Sequence, residues 1–189
     1  MFSAVSLPCT SPHYPSHVEN SLPDNCLVGT VDLISRDDLN EALTTLELEE
    51  PDTEILDKMF TMFDDTGENT VHYNQFLAAL CLLTTAAPNT KLKYAFSLFD
   101  RKGGGSINRG DVKSCLFAMN NAVCFFGDPV VGEDEIAETL NECYKKGSDE
   151  GIVHMSDVKY EEFIPILIDS QLFFKFICAL GTVRYVKSK

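Results

Sequence analysis

Apolar residues recur at helical spacing on both sides of two short polar stretches of this chain. Before Asp64 they stand eight, five, four and one positions upstream, and a second set follows the polar stretch at the same kind of spacing. The same outline fits around Asp100, thirty-six residues later. The pattern therefore predicts a helix–loop–helix unit repeated in tandem. Its apolar positions are Leu56, Met59, Phe60, Phe63, Phe76, Ala79, Leu80 and Leu83 in one unit, and Leu92, Ala95, Phe96, Phe99, Val112, Cys115, Leu116 and Met119 in the other.

Two partial units flank these complete ones. A β-branched residue stands at the eighth loop position of the complete units, Val71 and Ile107, and Ile34 and Val158 take the same place in the flanking units. The first unit lacks an incoming helix because Pro23 falls where that helix should be. The last has a predicted incoming helix over residues 134–144, which leaves a connection several residues too long for a twelve-residue loop. The expected outgoing faces are Leu39, Ala42, Leu43 and Leu46 in the first unit, and Phe163, Ile166 and Leu167 in the last.

The two ends of the chain differ from this periodic part. Residues 1–26 are rich in Ser, Pro and Asn, so we expect an irregular arm there. Residues 171–189 predict a short apolar helix followed by a basic tail. The apolar side chains of that helix must be covered, either by the protein's own groove or by a partner. They are Leu172, Phe173, Phe174, Phe176, Ile177 and Leu180.

Charge and composition exclude several classes of function. The formal net charge of −14 disfavours nucleic-acid binding and docking on anionic lipid by charge alone. No apolar run is long enough to span a bilayer, and Phe2 stands where N-myristoylation requires glycine. Seven cysteines without a CxxC pair favour buried thiols in a reducing cytosol. No catalytic or phosphate-binding motif is visible, so we expect a protein that is not an enzyme.

The repeated segments resemble a known superfamily. AFSLFDRKGGGSIN and FDDTGENTVHYNQFLAAL are similar to EF-hands of the calmodulin type. The connections FLAALCLLTTAAPNTKLKYAFSLFD and NNAVCFFGDPVVGEDE look like those of calcineurin B, neuronal calcium sensors and calaxin-type ciliary proteins. The resemblance implies an all-α EF-hand fold with two lobes of paired helix–loop–helix units, joined loop to loop by short β bridges. The lobes would be residues 27–86, whose first unit is degenerate, and 87–170, whose fourth loop is irregular.

An EF-hand loop ligates calcium from positions 1, 3, 5, 7 and 9 and from a bidentate Glu at position 12. The Asp64–Gln75 loop is the one serious candidate. Its metal ligands would be Asp64, Thr66, Glu68, Thr70 and Gln75. Gln75 supplies one neutral oxygen where glutamate supplies two charged ones, so we expect weak calcium binding. Asn69 replaces the usual glycine at position 6 and can adopt the left-handed conformation that the turn needs.

The other three loops have fewer side chains that could ligate calcium at these positions. In the Asp100–Asp111 loop, Lys102 puts a cation at position 3, Gly104 offers no side-chain oxygen, and Asp111 is one methylene shorter than glutamate. The first unit has Leu27, Gly29 and Val31 at ligand positions and cannot bind. The fourth region is acidic but irregularly spaced, which favours a solvated loop over a rearranged site. Its acidic residues are Asp149, Glu150, Asp157, Glu161 and Glu162.

These observations lead to two hypotheses. The leading one is a calmodulin-like, non-enzymatic regulatory or structural subunit that binds an amphipathic helix of a protein target, with weak or lost calcium binding. The alternative is a functional calcium sensor that regulates a phosphatase or a ciliary motor, with the Asp64 loop as its switch. Both place the protein in the cytoplasm, and the resemblance adds the cilium or cytoskeleton as a narrower location.

Overall fold

The computed structural model describes residues 33–46, 48–125, 131–154 and 157–179. Helices in these ranges are α1 (Arg36–Thr45), α2 (Glu50–Phe63), α3 (Tyr73–Cys81), α4 (Pro88–Ser97), α5 (Arg109–Phe125), α6 (Glu133–Asp149), α7 (Tyr160–Asp169) and α8 (Gln171–Ala179). Strands are β1 (Leu33–Ser35), β2 (Thr70–His72), β3 (Ser106–Asn108), β4 (Val153–His154) and β5 (Asp157–Lys159). The predicted arm at 1–26, the first-loop positions Leu27, Gly29 and Val31, and the tail beyond Ala179 lie outside the described residues. The predicted division into lobes at residues 86 and 87 stays a prediction.

The loops meet in pairs through the residues that the sequence places at their eighth positions. Ile34 of β1 lies opposite Val71 of β2, and Ile107 of β3 lies opposite Val158 of β5, both in antiparallel register. Side chains branched at Cβ suit such extended positions. The predicted loop-to-loop β bridges are therefore confirmed. β4 was not predicted, and it adds a third strand by pairing Val153 with Val158.

The helices around the Asp100–Asp111 loop bury their apolar faces as the periodicity predicts. All eight predicted face residues of this unit are buried, and all of them except Phe99 have no exposed surface. The second unit buries Met59, Phe60, Phe76 and Ala79, with the Phe76 ring edge-on to Phe60 at 5.8 Å between ring centroids. The core is built mainly on Leu, Phe, Ile and Val, and α3 packs against both α4 and α5.

Three predicted face residues of the N-terminal half are exposed. In the first unit only Leu39 and Leu43 are buried, while Ala42 is exposed and Leu46 keeps 63% of its surface. α1 ends at Thr45, so Leu46 lies beyond the helix whose face it was expected to share. Leu83 likewise follows the end of α3 and is exposed. The prediction is wrong at Leu46 and Leu83 because helical spacing has no meaning past the last turn, and it is wrong at Ala42 because the buried face of α1 is limited to Leu39 and Leu43.

The fourth unit differs from the prediction in the length of its incoming helix. α6 continues to Asp149, five residues past the expected end at Tyr144. The helix passes so close to β4 that a Cβ on Gly147 would stand 2.7 Å from Cγ2 of Val153. With the helix extended, the loop runs from Gly151 to Glu162 and keeps Val158 at its eighth position. The expectation of an overlong connection is therefore wrong, since helix α6 takes up the additional residues.

The apolar face of the C-terminal helix is covered by the protein's own groove. Phe173 and Ile177, one helical turn apart on α8, have no exposed surface, and α8 contacts α4, α5 and α7. Phe174 faces outward with 48% of its surface exposed. No helix among the described residues is both long and apolar enough to cross a membrane.

Candidate metal centre

The Asp64–Gln75 loop, between α2 and α3, has the backbone shape that its sequence predicts. Asn69 has φ of 57°, which confirms the left-handed turn at position 6. The Asp64 carboxylate accepts a hydrogen bond from the Asn69 backbone N–H at 2.9 Å and one from the Thr66 hydroxyl at 3.3 Å. The Thr66 hydroxyl in turn accepts one from the Glu68 backbone N–H at 3.3 Å. The loop is therefore curled around the carboxylate at its first position.

Few of the predicted metal ligands in this loop carry a negative charge. Asp64 and Glu68 are the two carboxylates among the five predicted ligands, and Gln75, the third residue of α3, offers an amide. No group of three or more His, Cys, Asp or Glu side chains that could hold a metal ion occurs among the described residues. Hydroxyl, amide and backbone oxygens would have to complete the coordination. Because calcium affinity rises with the number of charged ligands, this set fits a weak site.

A side chain from the first unit braces the same loop. The Arg36 Nε donates to Oδ1 of Asn69 at 3.1 Å, and another guanidinium nitrogen donates to the Thr61 hydroxyl at 2.9 Å. The guanidinium also pairs with Asp57 and lies 4.8 Å from the centre of the Phe60 ring. Arg36 thus ties the loop to α2 through Asn69, Thr61 and Asp57.

In the Asp100–Asp111 loop, the carboxylates at both ends are satisfied by the protein itself. Asp100 accepts hydrogen bonds from the backbone N–H groups of Gly104 at 3.1 Å and Gly105 at 2.7 Å. Tyr160, from the partner loop, reaches the same carboxylate, and its pKa is raised first by burial and then by the nearby charge of Asp100. Lys102 is exposed. The carboxylate at position 1 of this loop is thus engaged by the loop's own backbone.

Asn108 caps the start of α5 and holds Asp111, the residue at position 12 of that loop. Its carboxylate accepts from the side-chain amide of Asn108 at 2.6 Å, and its backbone N–H donates to the Asn108 side-chain oxygen at 2.8 Å. Burial raises the pKa of Asp111, and the positive charge of Arg101 opposes that rise. The carboxylate is thereby engaged at the start of the helix, where a bidentate calcium ligand would otherwise be needed.

The first unit repeats this arrangement with Ser35 and Asp38. Asp38 accepts from the backbone N–H of Ser35 at 2.8 Å and from its hydroxyl at 2.6 Å, while its own backbone N–H donates back to that hydroxyl. The hydrogen bond from the Ser35 side chain lowers the pKa of Asp38. This is a capping box. The sequence analysis missed both caps, although a Ser or Asn three residues before an acidic residue at a helix start could have revealed them.

The fourth loop, Gly151–Glu162, contains the β4–β5 hairpin. Ile152 and Val153 are buried in it, so two of its early positions face the core. The acidic residues of the region are exposed, as expected of a solvated loop, and two of them pair with lysines. Glu161 lies 2.6 Å from Lys93, and Glu162 lies 3.6 Å from Lys159.

Comparison with known proteins supports the fold. No protein-family model matches the chain. It is 30% identical over 93 residues to calcium-binding protein NCSA of Dictyostelium discoideum, covering 49% of each chain. It is 30% identical over 129 residues to calcium-binding protein K of the same organism, covering 64% of this chain and 60% of that protein. It is 33% identical over 61 residues to human recoverin, covering 32% and 30%.

The chain spans about half the length of the curated relatives it matches, from 42% to 60% of the first four. These homologues are EF-hand proteins of the neuronal calcium sensor type. The described helices, the paired loops and the position of each β bridge agree with that fold. The chain therefore has the EF-hand fold, and its homologues are of the neuronal calcium sensor type.

Proposed function

We propose that this protein is a calmodulin-like, non-enzymatic regulatory or structural subunit that binds an amphipathic helix of a target protein. Its calcium binding is weak and belongs to the Asp64–Gln75 loop, with Asp64, Thr66, Glu68, Thr70 and Gln75 as ligands. The observation that carries this proposal is the cap formed by Asn108 and Asp111. It engages the twelfth-position carboxylate of the third loop in a helix start, while the helices on both sides keep their buried faces.

The seating of α8 supports binding of a helix. Phe173 and Ile177 are spaced i and i+4, which is the spacing by which an amphipathic helix anchors in an apolar groove. The C-terminal half of the chain therefore has a surface of the right shape and apolar character for such a ligand. The net charge of −14 favours a target helix with a basic polar face.

The N-terminal half offers a second surface for a target. A cleft between α1 and the start of α2 is lined by Asn40, Leu43, Thr44, Leu48 and Thr53. Leu46, just beyond α1, is exposed beside it. In contrast to the groove that α8 fills, no described helix covers this cleft.

A functional calcium sensor that regulates a phosphatase or a ciliary motor is the second candidate. The left-handed Asn69 favours it, because the loop backbone keeps the turn that calcium coordination needs. Several relatives are named as calcium-binding proteins. In either case we place the protein in the cytoplasm, with the cilium or cytoskeleton as a narrower location. The free thiols of Cys81, Cys115, Cys143 and Cys178 support a reducing compartment.

Calorimetric titration with calcium separates the two candidates. We expect the wild-type chain to bind with a dissociation constant of about 10⁻⁴ M or weaker, and Asp64→Ala to remove that binding. Micromolar affinity that Asp64→Ala abolishes would favour the sensor. Calcium binding unchanged by Asp64→Ala would exclude this loop as the site in both cases.

Target binding is tested with a synthetic amphipathic helix that has a basic polar face. Fluorescence anisotropy in the presence of a calcium chelator should detect binding, because the proposed groove does not depend on calcium. A peptide of identical composition with scrambled apolar spacing is the control. Equal affinity for both peptides, or no binding of either, would contradict the proposed helix-binding function.

A further inference from the structure

Lys91, in the first turn of α4, is a buried cation. Only 3% of its surface is exposed, and Asn120 is the one other polar residue buried to this degree in the described part of the chain. Its ammonium donates a hydrogen bond to the backbone oxygen of Leu82 at 2.8 Å. No carboxylate among the described residues forms an ion pair with it. Burying an ammonium group is costly, so its position calls for a physical reason.

The acceptor of Lys91 lies at the carboxyl end of another helix. Leu82 is the C-cap of α3, where backbone oxygens lack partners within the helix and carry partial negative charge. A lysine side chain is a favourable group at that place. Lys91 thus reaches back from α4 and closes the end of α3. In doing so, it spans the connection between the second and third helix–loop–helix units.

Helix α8 packs against α4, the helix that carries Lys91. The pKa of Lys91 is lowered chiefly by burial, and the thiols of Cys178 and Cys81 are close enough to oppose that change. Cys178 belongs to α8 and Cys81 is the last residue of α3. Lys91 thus joins the end of α3 to α4, and α4 in turn packs against α8. Since α8 is held by Phe173 and Ile177, its departure would admit water to Lys91.

We propose that Lys91 is a latch that couples the seating of α8 to the junction between α3 and α4. While α8 is seated, the ammonium stays dry and holds the Leu82 carbonyl. When α8 leaves, the ammonium is hydrated, the end of α3 is released, and the two units it joins gain freedom to reorient. In the cell, the event that removes α8 would be competition by a target helix, so the biological role of the latch rests on the proposed function.

The first test measures access to Lys91 in the full-length protein with acetic anhydride as the amine reagent. Mass spectrometry would compare acetylation of Lys91 with that of Lys93, which lies on the same helix with 59% of its side chain exposed. We expect Lys91 to react at least about tenfold more slowly in the wild type. Phe173→Glu should raise its rate by at least about tenfold, and Phe174→Glu, on the exposed side of α8, should leave it unchanged.

Two control measurements report whether the variant is folded and whether α8 has moved. If circular dichroism finds that Phe173→Glu has lost helical structure, Phe173→Ala takes its place as the milder variant. Faster alkylation of Cys178 reports that α8 has moved. Lys91 that stays protected while Cys178 becomes accessible would overturn the latch, and so would equal acetylation of Lys91 and Lys93 in the wild type.

The second test separates coupling from a merely structural role. Lys91→Met keeps the aliphatic stem and removes the ammonium. Hydrogen exchange is read at the amides of Leu83 and Thr84, which donate to Leu80 and Cys81 at the end of α3. Lys91→Met and Phe173→Ala should each speed this exchange by about threefold or more, and the double variant should exchange no faster than Lys91→Met alone. Additive effects would overturn the proposal.

Neither test uses a target helix. Failure of the synthetic helix to bind would therefore contradict the proposed function and leave the latch standing. Failure of these two tests would remove the latch and leave helix binding untouched.

Discussion

The side-chain amide of Asn108 donates to the carboxylate of Asp111 at 2.6 Å, which engages the twelfth position of the third loop in capping α5. Ser35 and Asp38 stand in the same two positions of the first unit and form a capping box. A carboxylate that accepts hydrogen bonds from the N-cap residue of its helix has part of its hydrogen-bonding capacity already used. In both the first and the third unit, the carboxylate at position 12 therefore forms hydrogen bonds that stabilise the start of the outgoing helix.

Restoring a carboxylate at position 12 of the second loop should restore calcium affinity. Gln75→Glu adds a charged, bidentate ligand to a loop whose turn at Asn69 is already formed. We expect calorimetry to find calcium binding at least about tenfold tighter than in the wild type. Asp111→Glu is the matched control, since Lys102 and the Asn108 cap remain in that loop, and it should give no new binding. Tighter binding in Asp111→Glu but not in Gln75→Glu would reverse the assignment of the two loops.

The left-handed backbone of Asn69 should distinguish two substitutions there. Asn69→Ala and Asn69→Gly both remove the hydrogen bond from Arg36 Nε, but only alanine is strained at φ of 57°. We expect Asn69→Ala to unfold at lower urea concentration than Asn69→Gly, by about 1 kcal/mol in free energy of unfolding. Equal stability of the two variants would mean that the loop relaxes out of the left-handed conformation.

Helix α6 should not tolerate a side chain at Gly147. A Cβ at this position would lie 2.7 Å from Val153 and 3.3 Å from the Phe163 ring. Overpacking outweighs the better helix propensity of alanine, so Gly147→Ala should lower the free energy of unfolding by about 1–2 kcal/mol. Gly104→Ala is the control, because nothing lies within 4 Å of its added Cβ. A stabilised Gly147→Ala variant would contradict the close approach of α6 to β4.

The capping box of α1 should make stability depend on pH. The hydrogen bond from Ser35 lowers the folded-state pKa of Asp38 below its usual 3.8, so the carboxylate stabilises the folded state above that value. This contribution is lost as pH falls through the lowered folded-state pKa. Asp38→Asn should thus be less stable than the wild type near pH 7, with a difference that shrinks below about pH 3.8. Urea midpoints measured across this range, with Asp37→Asn as control for a charge in the same turn, test the effect. A difference between Asp38→Asn and the wild type that is constant with pH would contradict it.

Much of the fold is accessible from the sequence because the apolar periodicity and the loop positions are local properties. The pairing of Ile107 with Val158 follows from a single β-branched position recognised in each loop. The end of α6 could not be predicted in this way. Gly147 normally weakens a helix, and its place inside α6 depends on packing against Val153 and Phe163. Exposure of Leu46 likewise depends on where α1 ends.

The sequence by itself determined the EF-hand plan, the eighth-position bridges and the shortage of calcium ligands, since each depends on which residue occupies a numbered place in a repeat. Tertiary structure alone decided which side chains pair with the polar groups of the loops and helix ends. Tyr160 meets Asp100 across two loops, Arg36 braces Asn69, and Lys91 closes the end of α3 beneath α8. These contacts join residues distant along the chain or on separate helices, so no local pattern contains them. They form because a buried or unpaired polar group takes the nearest available partner in space.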